Sequence, residues 1–198
     1  MREGRNLSMT SSTLVRWGGM AAMLSGALLV VKGVAILVSD ADPGFVPPAT
    51  LLFALGMVGL HARLGGRGGP LGTIGVLLAW VVVVASAVSL IGLALPTPTP
   101  GEPGASVLLR ITYMVAFLGI LVGLLMLGVA ALRTGAMPAP RGAVPLAVGV
   151  LWFPLQGIGF VIADGVGLIL GGLAWVLLGY VLWSGSGTPH AQPSPRVR

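Results

Sequence analysis

The sequence predicts an all-α, polytopic membrane protein, and three observations carry that prediction. The run from Ile111 to Leu132 holds twenty-two residues without a formal charge. At 1.5 Å of rise per residue, about 20 residues cross a hydrocarbon core of about 30 Å, so this run spans a bilayer unaided. Hydrophobic residues make up 56% of the chain and charged residues 8%, at a mean hydropathy of +1.00. Ordinary soluble domains carry roughly 25% charged residues, so lipid is the expected solvent. Finally, the basic residues stand singly between apolar runs, where they sort to one side of a membrane.

That scatter also disposes of nucleic acid as a partner, since a net charge of +6 without a basic surface cluster is a topology signal. No cysteine is present, which excludes disulfides, thiolate metal sites and cysteine nucleophiles. With only His61 and His190 available, a protein-built zinc site is not expected, and no cofactor is implied.

The elements follow in order. Residues 1–13 are polar, carry Arg2 and Arg5, and read as a cytoplasmic segment. The first span, about 14–38, is longer than the apolar part of a signal peptide, which runs about 7 to 15 residues. It therefore reads as retained, with a cleaved signal as the alternative. Asp40, Asp42, Pro43, Pro47 and Pro48 then make a rigid acidic connection to a second span at about 49–64. Prolines at a helix start cost no internal hydrogen bond.

A basic glycine-rich turn, Gly59 to Pro70, leads into a third span at about 71–95, whose valines at 81–84 would favour a strand in water. Open sheet edges cannot stand in lipid, so a helix is required. Pro96 to Ala105 is expected to be extended and solvated. The fourth span is placed at about 107–132, closing on Arg133, Gly135 and Arg141. From Ala143 to Ser184 there is one acid, Asp164, near the middle, which fits two spans, about 143–162 and 165–184, around a tight turn. The tail, 185–198, is too polar to bury surface and reads as disordered and cytoplasmic.

Six spans in three in-out-in hairpins put Arg2, Arg5, Arg16, Arg63, Arg67, Arg133, Arg141, Arg196 and Arg198 in the cytoplasm. Only Arg110, with Lys32 nearby, falls outside. The positive-inside rule therefore orients both termini inward and brings anionic lipids to the cytoplasmic face as partners.

Helices in lipid associate without a hydrophobic drive, so small residues should mark their contacts. Gly119 and Gly123 form a GxxxG pair flanked by Ala116 and Ala130. Gly19, Ala22, Gly26 and Gly33 run through the first span, and Gly72, Gly75, Ala79 and Ser86 through the third. Gly165, Gly172 and Gly179 recur every seven residues, the period of a left-handed seam. Together these stripes favour a tight monomeric bundle, with a homo-oligomer or an unknown membrane partner as alternatives. The ends of the second, fourth and sixth spans, Leu55 to Gly66, Leu124 to Gly135 and Trp175 to Gly185, echo one another, as duplication or glycine bias alone would produce.

The stretches Gly59 to Gly72, Gly128 to Gly135 and Leu173 to Trp183 resemble segments of small uncharacterised bacterial membrane proteins of about this length. That resemblance implies six helices in a bacterial inner membrane and supplies no activity or site.

An ionisable group within a span is a functional candidate by default. Lys32 either snorkels toward the outer connection or pairs with Asp164 or Asp40, lining an outer vestibule with Arg110, Tyr113 and Gln156. Asp164 fits an N-cap of the sixth helix, and Gln156 fits a carbonyl freed by Pro154. His61 reads as interfacial; Trp17, Trp183 and Tyr180 as inner-belt residues; Trp80, Trp152 and Trp175 as packing residues. Ser86 and Ser89 are expected to bond their own helix. The function these features favour is a non-enzymatic structural or partner-binding bundle. The alternative is a small-solute or ion transporter using the vestibule. No acid, base and nucleophile come together in the spans, so an intramembrane enzyme is not expected.

Overall fold

The computed structural model describes residues 3–39, 44–94, 104–137, 141–151, 154 and 164–185; the side chains of 3–11, 104–106 and 164 lie outside that description. Every element among the described residues is helical. α1, Glu3–Ser39, runs without a break through the polar residues before position 14, because a helix once nucleated extends at one hydrogen bond per residue and no proline precedes Pro43. α2, Val46–Leu64, carries prolines in its first turn and ends at Gly65, whose φ of 55° lets its N–H donate to the Ala62 carbonyl at 3.1 Å. The turn that follows, residues 65–68, joins it to α3, Gly69–Ala94.

α4 spans Gly104–Thr134, so the last two residues expected in the extended linker are helical; residues 95–103 lie outside the described residues. A short apolar helix, α5, covers Arg141–Leu151 and opens with a 3₁₀ turn. α6 is Asp164–Ser184. The expected span at 143–162 is described only through Leu151 and at Pro154, and the expected disordered tail is described only at Gly185.

Four helices are long and apolar enough to cross a membrane: Ser12–Ser39, Gly69–Ala94, Val107–Thr134 and Gly165–Ser184. This is a multi-pass membrane protein. In α1 and α3 only 33% of the most apolar window is buried inside the bundle, so most of it faces outward, where only lipid makes it stable. α2 is not among the four, since Pro47, Pro48, His61 and Arg63 dilute its nineteen residues.

Helices adjacent in sequence from α1 to α5 pack antiparallel, and so do α1 and α6. α1 lies along α6 through three glycine pairs: Gly19 on Gly179, Gly26 on Gly172 and Gly33 on Gly165. A Cβ added at Gly165, Gly172 or Gly179 would stand 2.5–2.6 Å from the carbonyl oxygen of the opposing glycine, closer than atoms tolerate. The backbones therefore touch, and glycine is the only residue that fits. On its other side α1 meets α2, with Gly18 against Gly59 and Gly56 against Ala22. α3 and α4 meet where Gly75 faces Leu127 and Gly119 faces Val82, while Gly123 packs against Leu78 and Met57. α5 runs back along α4, with Leu146 over Gly128 and Gly149 over Leu125.

α2 is the central helix, touching α1, α3, α4 and α6, and Phe53, Leu60 and Leu64 on it are fully buried. Around it the helices are pinned by hydroxyls. Ser25 donates to the Ala49 carbonyl at 2.6 Å, the hydroxyls of Thr50 and Ser86 lie 2.8 Å apart, and Ser89 donates to Thr112 at 2.8 Å. Ser89 also reaches its own helix at Ala85, but Ser86 bonds across to α2 rather than along α3. Interhelical bonds of this kind contribute about 0.6 kcal/mol each.

Because α2 reverses α1, α3 reverses α2 and α4 reverses α3, the ends of α2, α4 and α6 gather with the start of α1. That end holds Arg16, Arg63, Arg67, Arg133 and Arg141. Lys32 and Arg110 lie toward the other.

Candidate functional site

The same helix that closes the seam with α1 also opens a cavity. On α6, Leu168 and Trp175 stand three residues after Gly165 and Gly172, about 60° round the helix from the glycine stripe, and line the space beside the seam. There they meet Leu29 and Lys32 of α1 and Val46 and Thr50 of α2. α4 supplies the fourth wall with Tyr113, Ala116, Phe117 and Ile120. The half-open space between them is about 340 Å³, within the size range of small-molecule sites.

Bulk explains why the cavity exists. Where α6 faces α1 it offers hydrogen atoms, and where it faces α4 both sides offer large side chains. Trp175 is fully buried and stacks on Phe53 of α2, with ring centroids 3.7 Å apart and planes inclined by 17°. That pair fixes one wall from two helices at once and contributes about 0.5–1.5 kcal/mol beyond area burial. Among the described residues α4 and α6 do not pack on each other, and the cavity lies in the interval between them.

Among the described residues, the polar groups of the wall are few. Lys32 is only 6% exposed, so it turns into the bundle instead of snorkelling along an outer surface; one residue away, Gly33 is held against Gly165 and fixes that rotation. Tyr113 is half-buried and lines the same space. The Thr50 hydroxyl, 2.9 Å from the Pro47 carbonyl and 2.8 Å from Ser86, is occupied in holding helices together.

Of the five residues expected to form an outer vestibule, Lys32 and Tyr113 line one cavity. Arg110 does not: it is exposed and off the cavity wall, one helical turn before Tyr113. Gln156 lies outside the described residues, as does Asp40, and so does the side chain of Asp164, whose backbone starts α6. Thr50, Trp175 and Phe117 were missed as cavity residues because apolar and hydroxyl side chains in a span give no signal of which neighbour they face.

Elsewhere, Trp80 is 55% exposed and faces outward, not into packing as expected. Trp17, Tyr180 and Trp183 are exposed near the arginine-bearing end. His61 is half-buried beside Gly72 with its Nδ1 enclosed, and Arg63 reaches across to the Leu182 carbonyl at 3.4 Å. Trp152 lies outside the described residues. No three His, Cys, Asp or Glu side chains gather as metal ligands among the described residues.

Comparison with protein-family models, with curated proteins and with solved structures finds no match to this chain.

Proposed function

We propose that the chain is a six-crossing bacterial inner-membrane protein with both termini in the cytoplasm, and that it acts as a non-enzymatic structural or partner-binding bundle. The observation that carries this reading is the glycine seam between the first and last helices. It ties the two ends of the fold backbone to backbone and leaves those glycine faces engaged within one copy, which favours a monomer. The buried hydroxyls support it further, since each joins neighbouring helices.

Helix direction supports a sixth crossing: α4 and α6 run the same way, which suits one return between them, and α5 travels back along α4. The exposed arginines at one end, Arg16, Arg67, Arg133 and Arg141, suit a cytoplasmic face with anionic headgroups. The likeness to small bacterial membrane proteins belongs with this proposal.

The natural absence of cysteine makes the test direct. Single variants Ser39→Cys and Ser186→Cys are treated with an impermeant maleimide; the first should label in intact cells and the second only after the membrane is opened. Labelling of Ser186→Cys in intact cells would refute the six-crossing arrangement. Native mass spectrometry from detergent should give one copy of 20.0 kDa.

A second reading, binding or transport of a small solute, is favoured by one specific observation: Lys32 and Tyr113 line the same half-open cavity.

A further inference from the structure

Taking that second reading further, we infer that the cavity bounded by α1, α2, α4 and α6 binds an anionic amphiphile with a single hydrocarbon tail, of the class of a medium-chain fatty acid carboxylate. Two features of the site select this chemistry. Most of the wall is hydrocarbon or aromatic: Leu29 and Val46 on one side, Phe117, Ile120 and Leu168 on the other, with Trp175 closing one end. Such a lining suits an alkyl chain better than a hydrated ion, which would give up its water to a mostly apolar wall. The polar share is cationic and concentrated on Lys32, 6% exposed, with the Tyr113 phenol on the facing helix. Lys32 already takes part in an interaction of its own, and an ammonium with three N–H donors accommodates a carboxylate oxygen beside it.

The two features also agree in direction. Lys32, Val46 and Tyr113 lie toward the end of the bundle opposite the arginines, and Trp175 lies deeper. A carboxylate at Lys32 therefore points its tail toward the bilayer midplane, the orientation a fatty acid already has in a leaflet.

The test uses the full chain in nanodiscs of phosphatidylcholine, titrated with bromodecanoate, whose bromine quenches tryptophan on contact. Trp175 lies in the cavity wall, so quenching should saturate, with a saturable component that Lys32→Met removes and Lys32→Arg retains. Across a homologous series of unbranched carboxylates competing with the probe, affinity should rise about fourfold per methylene until the cavity is full, then level off. Bromodecylamine, with the same tail and opposite charge, should quench only in the linear, unsaturable manner of partition into lipid.

Three results would overturn the inference: quenching in the native chain that never saturates, saturable quenching unchanged in Lys32→Met, or equal saturable binding of the amine. Circular dichroism and a single monomeric elution peak establish that Lys32→Met is folded; if it is not, Ile120→Trp, which fills the cavity without touching the charge, must abolish saturation instead. A chain that does not enter nanodiscs defeats the membrane reading itself, whereas one that enters and fails to saturate defeats only the ligand.

Discussion

The two faces of α6 are built on opposite rules. Toward α1 it presents Gly165, Gly172 and Gly179, and the backbones of the two helices come into contact. Toward α4 it presents Leu168 and Trp175, and a cavity of about 340 Å³ separates the helices. Both stripes repeat every seven residues on one helix, offset by three. In lipid, then, close approach comes from the absence of side chains, while large side chains on both sides hold helices apart and leave space between them. The difference implies an asymmetry: the seam should suffer from added volume, and the cavity side from lost volume.

The largest effect should come from the cavity side. Trp175→Ala removes a fully buried ring and its stacking partner's contact, which should destabilise by about 3–5 kcal/mol in reversible denaturation by sodium dodecyl sulfate followed by circular dichroism. A loss below about 1 kcal/mol would mean that this wall contributes little to the fold.

Gly26→Ala tests the seam. Its new Cβ meets the Gly172 carbonyl and the Val176 backbone nitrogen, and neither can rotate away. A net cost of about 2 kcal/mol is expected even after the better helix propensity of alanine, which favours the variant by about 1 kcal/mol. Gly75→Ala is the matched control, because the atoms it meets first belong to the Leu127 side chain, which has rotamers to use. If both glycines respond equally, contact with backbone rather than with side chain is not what distinguishes the seam.

Ser89→Ala breaks the hydroxyl bond to Thr112 and should cost about 0.6–1.7 kcal/mol, sensitive to neither volume rule. The smallest change is expected for Ala116→Val. That side chain borders the cavity, so two added methyl groups enter unoccupied space and stability should move by less than about 0.5 kcal/mol. A cost equal to that of Gly26→Ala would erase the contrast between the two faces.

The arrangement of helices was only partly legible. α3 and α4 declare themselves by length and apolarity, because hydrocarbon leaves no alternative to a helix for twenty or more uncharged residues. α2 was legible as a helix at about 49–64 but not as the central one, since it is the shortest of the long helices and the most diluted by proline, histidine and arginine. Its central position explains this: a helix surrounded by other helices meets little lipid and needs less apolarity to stay in place. Lys32 shows the same ambiguity at one residue. Its sequence position near an outer connection allows either an outward or an inward side chain, and only the rotation imposed by Gly33 against Gly165 turns it inward.

Composition and periodicity by themselves determined that this chain lives in a bilayer as helices, which end carries the arginines, and that glycines recur at seven-residue spacing on α6. Those properties are local, summed along the chain or read within one helix. Which helix answers that spacing was decided by tertiary structure alone, because Gly19, Gly26 and Gly33 match Gly179, Gly172 and Gly165 only when the first helix lies antiparallel beside the last. The cavity is likewise a property of four helices at once, since its volume is the space their side chains fail to fill.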